Sequence, residues 1–280
     1  MTRWLGVVAA VVHEVDPKQG RVRVKYPAIE TDLESTWAPV AAPLSGSKRG
    51  QLFMPEVGDE CLVAFESGDF DHPFVVGFLW NGQDVSSETE ATNRVIVTPG
   101  GHQLRFEDKK DDTRIIVRSN GKHELTFEDA SSDPFIRLRT NDKRELLLDD
   151  KAGSGKIEIT SGQHKITLDD APANTQIKID AGMGVVTLSL NATPTPSLSI
   201  SVGGNTVDLG PTGVSVNAVG NLSITAAGTA TVTAASATLN AAALTVNAAV
   251  STFSGVVIAN TLVATTVVGS TYTPGVGNLL

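Results

Sequence analysis

The stretch Gln103-Leu-Arg-Phe-Glu-Asp108 returns as Glu124-Leu-Thr-Phe-Glu-Asp129, as Glu145-Leu-Leu-Leu-Asp-Asp150 and as Lys165-Ile-Thr-Leu-Asp-Asp170. Three positions keep spacings of 21, 21 and 20 residues: Leu104, Leu125, Leu146 and Ile166; Phe106, Phe127, Leu148 and Leu168; Asp108, Asp129, Asp150 and Asp170. A second apolar pair keeps step with the first: Ile115 with Val117, Ile136 with Leu138, Ile157 with Ile159, and Ile177 with Ile179. Apolar residues at i and i+2 with a polar or charged residue between them have the period of a half-buried β-strand. Each unit therefore reads as two strands with one apolar and one wet face. A unit of this kind is not stable alone and buries its apolar face on its neighbours. Two or three inward positions per strand are too few to fill a sandwich.

Toward the C-terminus the composition changes. From Ala181 to Leu280 only Asp208 is charged, whereas the preceding residues carry all the other Asp, Glu, Lys and Arg side chains. Val, Ile, Leu, Ala and Thr dominate this tail, which is not the composition of a disordered segment. Pairs separated by one residue recur in it: Val214 and Val216, Leu222 and Ile224, Ala230 and Val232, Ala237 and Leu239, Leu244 and Val246, Ser251 and Phe253. Their spacing is eight, eight, seven, seven and seven, and each pair is followed by Asn, Thr or Ser. Seven or eight residues cannot complete a coil of a single-chain β-helix, which takes about three strands per turn. Each unit must then supply one side of something built by several chains. Three chains around a triangular prism is the simplest closed solution, and closure removes aggregation-prone strand edges. With one strand spacing per repeat, eight or nine repeats give a shaft of roughly 40 Å.

Toward the N-terminus, residues 1–82 read as a small all-β domain. Val7, Val8, Val11 and Val12 supply a first strand, Arg21 to Tyr26 a second after the turn at Asp16 to Gly20, and a third begins near Trp37. Glu60–Phe65 and Phe74–Trp80 flank a Gly68 to Pro73 loop with hairpin chemistry. Five strands without a helical period suit a closed OB-fold barrel. Residues 83–99 are polar and aperiodic and read as a linker. The expected organisation is an OB-fold barrel at 1–82, the linker, a shaft of 21-residue repeats at 100–182, and an uncharged narrow tip at 183–280. The fold class is all-β, a barrel followed by an intertwined trimeric β-helix.

The net charge of −9 excludes a nucleic-acid footprint, which needs a basic face. Lys48 and Arg49 are an isolated pair in a solvated loop. Cys61 is the only cysteine, so no intrachain disulfide forms and no thiolate cage exists. The apolar run Trp4 to Val12 reads as a strand, not a signal peptide, since Arg3 is its only basic flank.

Candidate chemistry is sparse. Asp69, Asp71 and His72 sit close enough to suggest metal ligands, but turn duty accounts for them. The acidic pairs Glu107-Asp108, Glu128-Asp129, Asp149-Asp150 and Asp169-Asp170 would align along a shaft, yet the Gly-Gly-x-Gly-x-Asp pattern of calcium-binding β-rolls is missing. His102, His123 and His164 share one repeat position that Arg144 fills in the third unit, which argues for an exposed polar site just after a turn. No histidine follows His164, no Ser or Thr has a base beside it, and Gly275-Val-Gly277 lacks the setting of a phosphate loop. The expectation is a protein that is not an enzyme, with no catalytic, cofactor or metal residues.

The run from Met54 to Gly82, with Pro55, Gly58, Asp59, Phe65, Pro73, Gly77 and Asn81 in order and Trp37-Ala-Pro-Val40 before it, resembles the OB-fold of baseplate assembly protein V and of VgrG spike proteins. The resemblance covers residues 4 to 82. It implies the central spike of a contractile injection system or phage tail baseplate: a homotrimer whose barrels dock on a hub and whose needle points at the target membrane. Because VgrG proteins carry a hub domain before the barrel and this barrel starts near Arg3, the hub would be a separate protein. Leu279 and Leu280 would offer a blunt end to a PAAR-like cap protein. Assembly in the bacterial cytoplasm and release with a phage tail or extracellular particle follow from the same resemblance. A trimeric tail fibre or adhesin that binds a surface receptor shares the repeats and is the alternative. A single-chain β-helix acting on polysaccharide would need longer coils and a face of carboxylates or aromatics.

Overall fold

Valines at alternate positions are restricted at χ1 and pack well on a pleated surface, and they write the first sheet. In the computed structural model, which describes Trp4 and residues 6–271, β1 (Val7–Asp16) pairs antiparallel with β2 (Arg21–Lys25) and with β6 (Glu60–Phe65). β3 (Ala38–Pro39) adds to β2, and β7 (Pro73–Phe78) adds to β6, giving the order β3-β2-β1-β6-β7. A bridge between Val40 and Val75, with the Ala41 N–H donating to the Val75 carbonyl at 2.9 Å, brings the two ends of the sheet together. The barrel is nearly closed. Irregular register at Val12/Glu14 and at Leu62/Val63 supplies the bends that closure requires.

The barrel interior is filled by Val12, Val22, Val24, Cys61, Val63 and Val75, all fully buried. Phe65 and Phe70 stack on each other, and both lie tilted against Trp4 and against Tyr26, at centroid distances of 5.2 to 6.3 Å. Between β3 and β6 lies a small hairpin that the sequence reading left as loop: β4 (Ser45–Gly46) pairs with β5 (Arg49–Gly50). Gly50 has φ of 147°, and a Cβ there would lie 2.6 Å from the Leu44 carbonyl oxygen, so only glycine fits.

Thirteen further strands form one antiparallel sheet in strict chain order. They are β8 (Asn93–Val97), β9 (Gln103–Lys109), β10 (Asp112–Arg118), β11 (Glu124–Glu128), β12 (Phe135–Arg139), β13 (Glu145–Asp149) and β14 (Lys156–Ser161). β15 (His164–Asp169), β16 (Gln176–Ala181), β17 (Val186–Asn191), β18 (Ser197–Val202), β19 (Asn205–Gly210) and β20 (Gly213–Asn217) complete it. The shortening of the repeat from 21 to 20 residues falls in a turn. Ser119 and Thr140 open three-residue loops whose last residue has positive φ, whereas Ser161 pairs directly with His164 across Gly162 and Gln163.

Two findings differ from the sequence reading. The stretch 83–99 holds β8, and it is tied down by Glu88. Its carboxylate accepts from the Thr89 and Glu90 amides, the Asn93 side chain and the Arg105 guanidinium, at 2.6 to 3.1 Å. The change of composition near residue 182 is also no change of backbone pattern, since β17 to β20 continue the sheet through the uncharged sequence with Val214 and Val216 in its last strand. Ser223–Leu280 form a second unit, in which the described residues hold no hydrogen-bonded strand and are exposed. The pairs from Leu222 onward fall beside or within it. Leu279, Leu280 and Gly275-Val-Gly277 lie outside the described residues.

Burial pushes the Cys61 thiol from an ordinary 9.0 up to about 11, with Asp59 and Glu60 adding to it, and pushes Tyr26 from 10.0 to about 12, with Cys61 adding. Both folded values exceed the unfolded ones, so the stability these groups contribute is complete below pH 9 and is lost as pH rises through 11 and 12. Barrel unfolding, followed by tryptophan fluorescence, should be constant from pH 7 to 9 and lose about 1–3 kcal/mol by pH 11. Cys61→Ala should lose less over the same range, and a parent profile flat to pH 11 would contradict this assignment.

Candidate assembly surface

Directly paired residues of an antiparallel sheet lie on the same face. Following the register from strand to strand, Ile96, Leu104, Val117, Leu125, Leu138, Leu146, Ile159, Ile166, Ile179, Leu188, Ile200, Val207 and Val216 form one unbroken row. A second row on the same face runs from Arg94 through Phe106, Ile115, Phe127, Ile136, Leu148, Ile157, Leu168, Ile177, Leu190, Leu198 and Leu209 to Val214. Thirteen strands at about 4.8 Å spacing make this double row roughly 58 Å long.

The apolar face is the less buried one. Leu138 is 51 % exposed and Ile159 46 %, whereas Thr126 and Glu128 on the opposite face are 3 % and 8 % exposed. Long charged side chains lie over the polar face and pair along it, so their stems cover the backbone. Arg114 reaches Glu107 at 2.9 Å and Glu128 at 3.6 Å, and Glu124 takes Arg118 and, at 3.9 Å, Arg137. Farther along, Glu158 is held by Lys165 at 2.7 Å and Lys156 at 3.3 Å. Desolvation pushes Glu124 and Glu158 up, but their cationic partners outweigh it and hold both carboxyls below the usual range. From β17 on, this face is hydroxylic, and Ser199 donates to the lone Asp208.

The candidate chemical groups have structural partners. Glu107, Glu128, Asp149 and Asp169 share one row, but Arg114, Phe135 and Lys156 stand between them. Glu128, Asp149 and Asp169 each accept the backbone N–H two residues on, at 3.0 to 3.3 Å, and so cap their turns. In the barrel loop Asp69 accepts the Asp71 N–H at 3.1 Å and pairs with His72 Nδ1 at 3.0 Å. The Asp71 amide first and His72 second hold the Asp69 carboxyl below its ordinary value. Among the described residues no three His, Cys, Asp or Glu side chains group as metal ligands. His102, His123 and Arg144 each follow a turn, and His164 opens β15.

The barrel adds a second surface that the sequence did not signal. A groove of about 340 Å³ lies between Pro39–Pro43 and Gln51–Met54, beside Phe78. Leu44, Leu52 and Phe53 flank the small hairpin and are exposed, with Lys48 in its turn and Arg49 beside it. Trp80, just after β7, is 73 % exposed. Clustered exposed apolar side chains of this kind are a feature of interaction sites.

Residues 4–80 match the family model of the type VI secretion system/phage-baseplate injector OB domain. The chain is similar to the type VI secretion system spike proteins VgrG4b and VgrG5 of Pseudomonas aeruginosa, each 32 % identical over 113 and 111 residues. It is 29 % identical over 110 residues to the spike protein VgrG3 of Vibrio cholerae. These alignments take in 36 %, 35 % and 35 % of this chain and 14 %, 14 % and 11 % of the three relatives.

Proposed function

From the match of residues 4–80 to the injector OB domain of type VI secretion systems and phage baseplates, we propose that this protein is the central spike of a contractile injection system or phage baseplate. The observation that carries this reading is the exposed double row. A roughly 58 Å apolar stripe left in water by one chain is covered when three copies turn it toward a common axis. The ion-paired polar face then points outward, and no strand edge along the shaft is left open laterally. The tail needs the same arrangement more strongly, because Ile258 is 92 % exposed and its neighbours have no pairing strand among the described residues.

In this reading the barrels dock on a separate hub protein, and the groove and exposed hairpin of the barrel support that contact. A cap protein takes the C-terminal end, and the assembly forms in the bacterial cytoplasm before joining a tail or particle. The work is mechanical and not enzymatic: interchain hydrogen bonds and a packed axis make a rod whose strands separate only together.

The test compares two lysine substitutions. In an isolated chain Leu138→Lys on the half-exposed apolar row and Thr167→Lys on the polar face would each change stability by about 0.5 kcal/mol or less. In the trimer Leu138→Lys buries three charges at the axis and should abolish assembly, while Thr167→Lys should assemble like the parent, both read by sedimentation velocity. Equal behaviour of the two variants would remove the reading. The uncharged tail suits brief passage through a bilayer, where a charge costs about 2.5–3.5 kcal/mol or more. Lysines at Thr225 and Thr233 should leave the trimer intact and lower target penetration severalfold, and unchanged penetration would end that part of the proposal.

A further inference from the structure

Three successive turns at one edge of the long sheet share a single design. Thr98, Ser119 and Thr140 open them, and Gly101, Lys122 and Lys143 close them with φ of 81°, 62° and 61°. The backbone N–H of each opening residue donates to the carbonyl of His102, His123 or Arg144 at 2.9 Å. Its hydroxyl oxygen accepts the N–H of that same residue at 3.1 Å. The residue that follows each turn is therefore pinned twice through its backbone. In the first two turns it is histidine. His102 Nδ1 accepts the Asn120 amide N–H of the next turn at 3.2 Å, and His123 Nδ1 accepts the Asn141 amide N–H at 3.4 Å. Each ring lies over the glycine two residues before it: a Cβ on Gly100 or Gly121 would touch the ring Cδ2 at 3.5 or 3.4 Å.

We propose that His102 and His123 form an acid-released clasp that ties these three turns together. A backbone N–H only donates, so each Nδ1 must present a lone pair and the proton of the neutral ring sits on Nε2. An imidazolium carries a proton on both nitrogens and meets the Asn120 or Asn141 N–H with another donor. Histidine is the side chain whose charge changes between pH 5 and 8, so the clasp is shut at neutral pH and opens in mild acid. Near the three turns, the charged groups on the adjoining elements are Arg118 with Glu124, Arg139 with Glu145 at 3.9 Å, Lys122, Lys143, and Arg144, which donates to Asp142 at 3.1 Å. Among the described residues the histidines paired with carboxylates are His13 and His72, so no carboxylate compensates either clasp ring when it protonates. His164 provides an internal comparison, since it follows a two-residue turn and its ring takes no amide from a following turn among the described residues. The clasp stands independently of the spike reading.

The test uses the intact chain with labelled histidine. At pH 7.5 long-range ¹⁵N correlation should show both rings as the Nε2–H tautomer. Hydrogen-exchange protection of the Asn120 and Asn141 amides, corrected for the intrinsic rate, should fall about fivefold between pH 7.5 and 5, as loss of a bond worth about 1 kcal/mol implies. The turn at Ser161 to His164 should not change. His102→Phe and His123→Phe keep a flat ring over the glycine and should show low protection at both pH values. An Nδ1–H tautomer in the parent, protection that does not fall with pH, or a fall that persists in the Phe variants would each overturn the clasp. The tautomer measurement is made on the parent and needs no folded variant.

Discussion

The uncovered apolar face of the long sheet is the constraint on which the rest of this protein depends. Burying apolar surface is the main favourable term in folding, yet among the described residues this sheet has no second layer to bury against. Its strands alternate faithfully, and pairing in strict chain order aligns every apolar position into two rows. The more regular the repeat, the more continuous the exposed stripe becomes. In the proposed assembly a stripe made this way is matched by another copy of the same chain, which has the same strand spacing and the same rows.

The polar face solves a different problem. Its arginines, lysines and carboxylates pair laterally from strand to strand, which stiffens the sheet and leaves few charges free to seek other partners. Beyond β16 those pairs give way to Ser, Thr and Asn without any change in how the backbone pairs. The gradient from charged to uncharged is thus written on one face of a continuous structure. Among the described residues of the second unit no strand pairing continues, and in the proposed assembly its pairing partners are strands of other copies.

The features legible in the sequence are those that depend on near neighbours. The alternation of Leu104 with Phe106 and of Ile115 with Val117 announces its strands, and the turn chemistry around Gly68 to Pro73 announces the barrel hairpin. The hairpin at Ser45 to Gly50 was hidden because it rests on one backbone angle at Gly50 and on Arg49 lying over Gly46. Glu88 looked like linker because its partners include Arg105, seventeen residues on and on another strand. The histidine positions could be counted from the repeat, but their role as acceptors depends on where the next turn aims its amide. β8 is the first strand of a local hairpin, with Val97 facing Gln103 across the turn, and the polar residues that precede it in 83–99 masked it.

In the proposed spike the chain completes itself only with copies of itself. Multi-angle light scattering on the full-length chain at micromolar concentration reads this directly. A mass of three times 29.3 kDa, unchanged on tenfold dilution, is the predicted result. A stable, folded species of 29.3 kDa would contradict it.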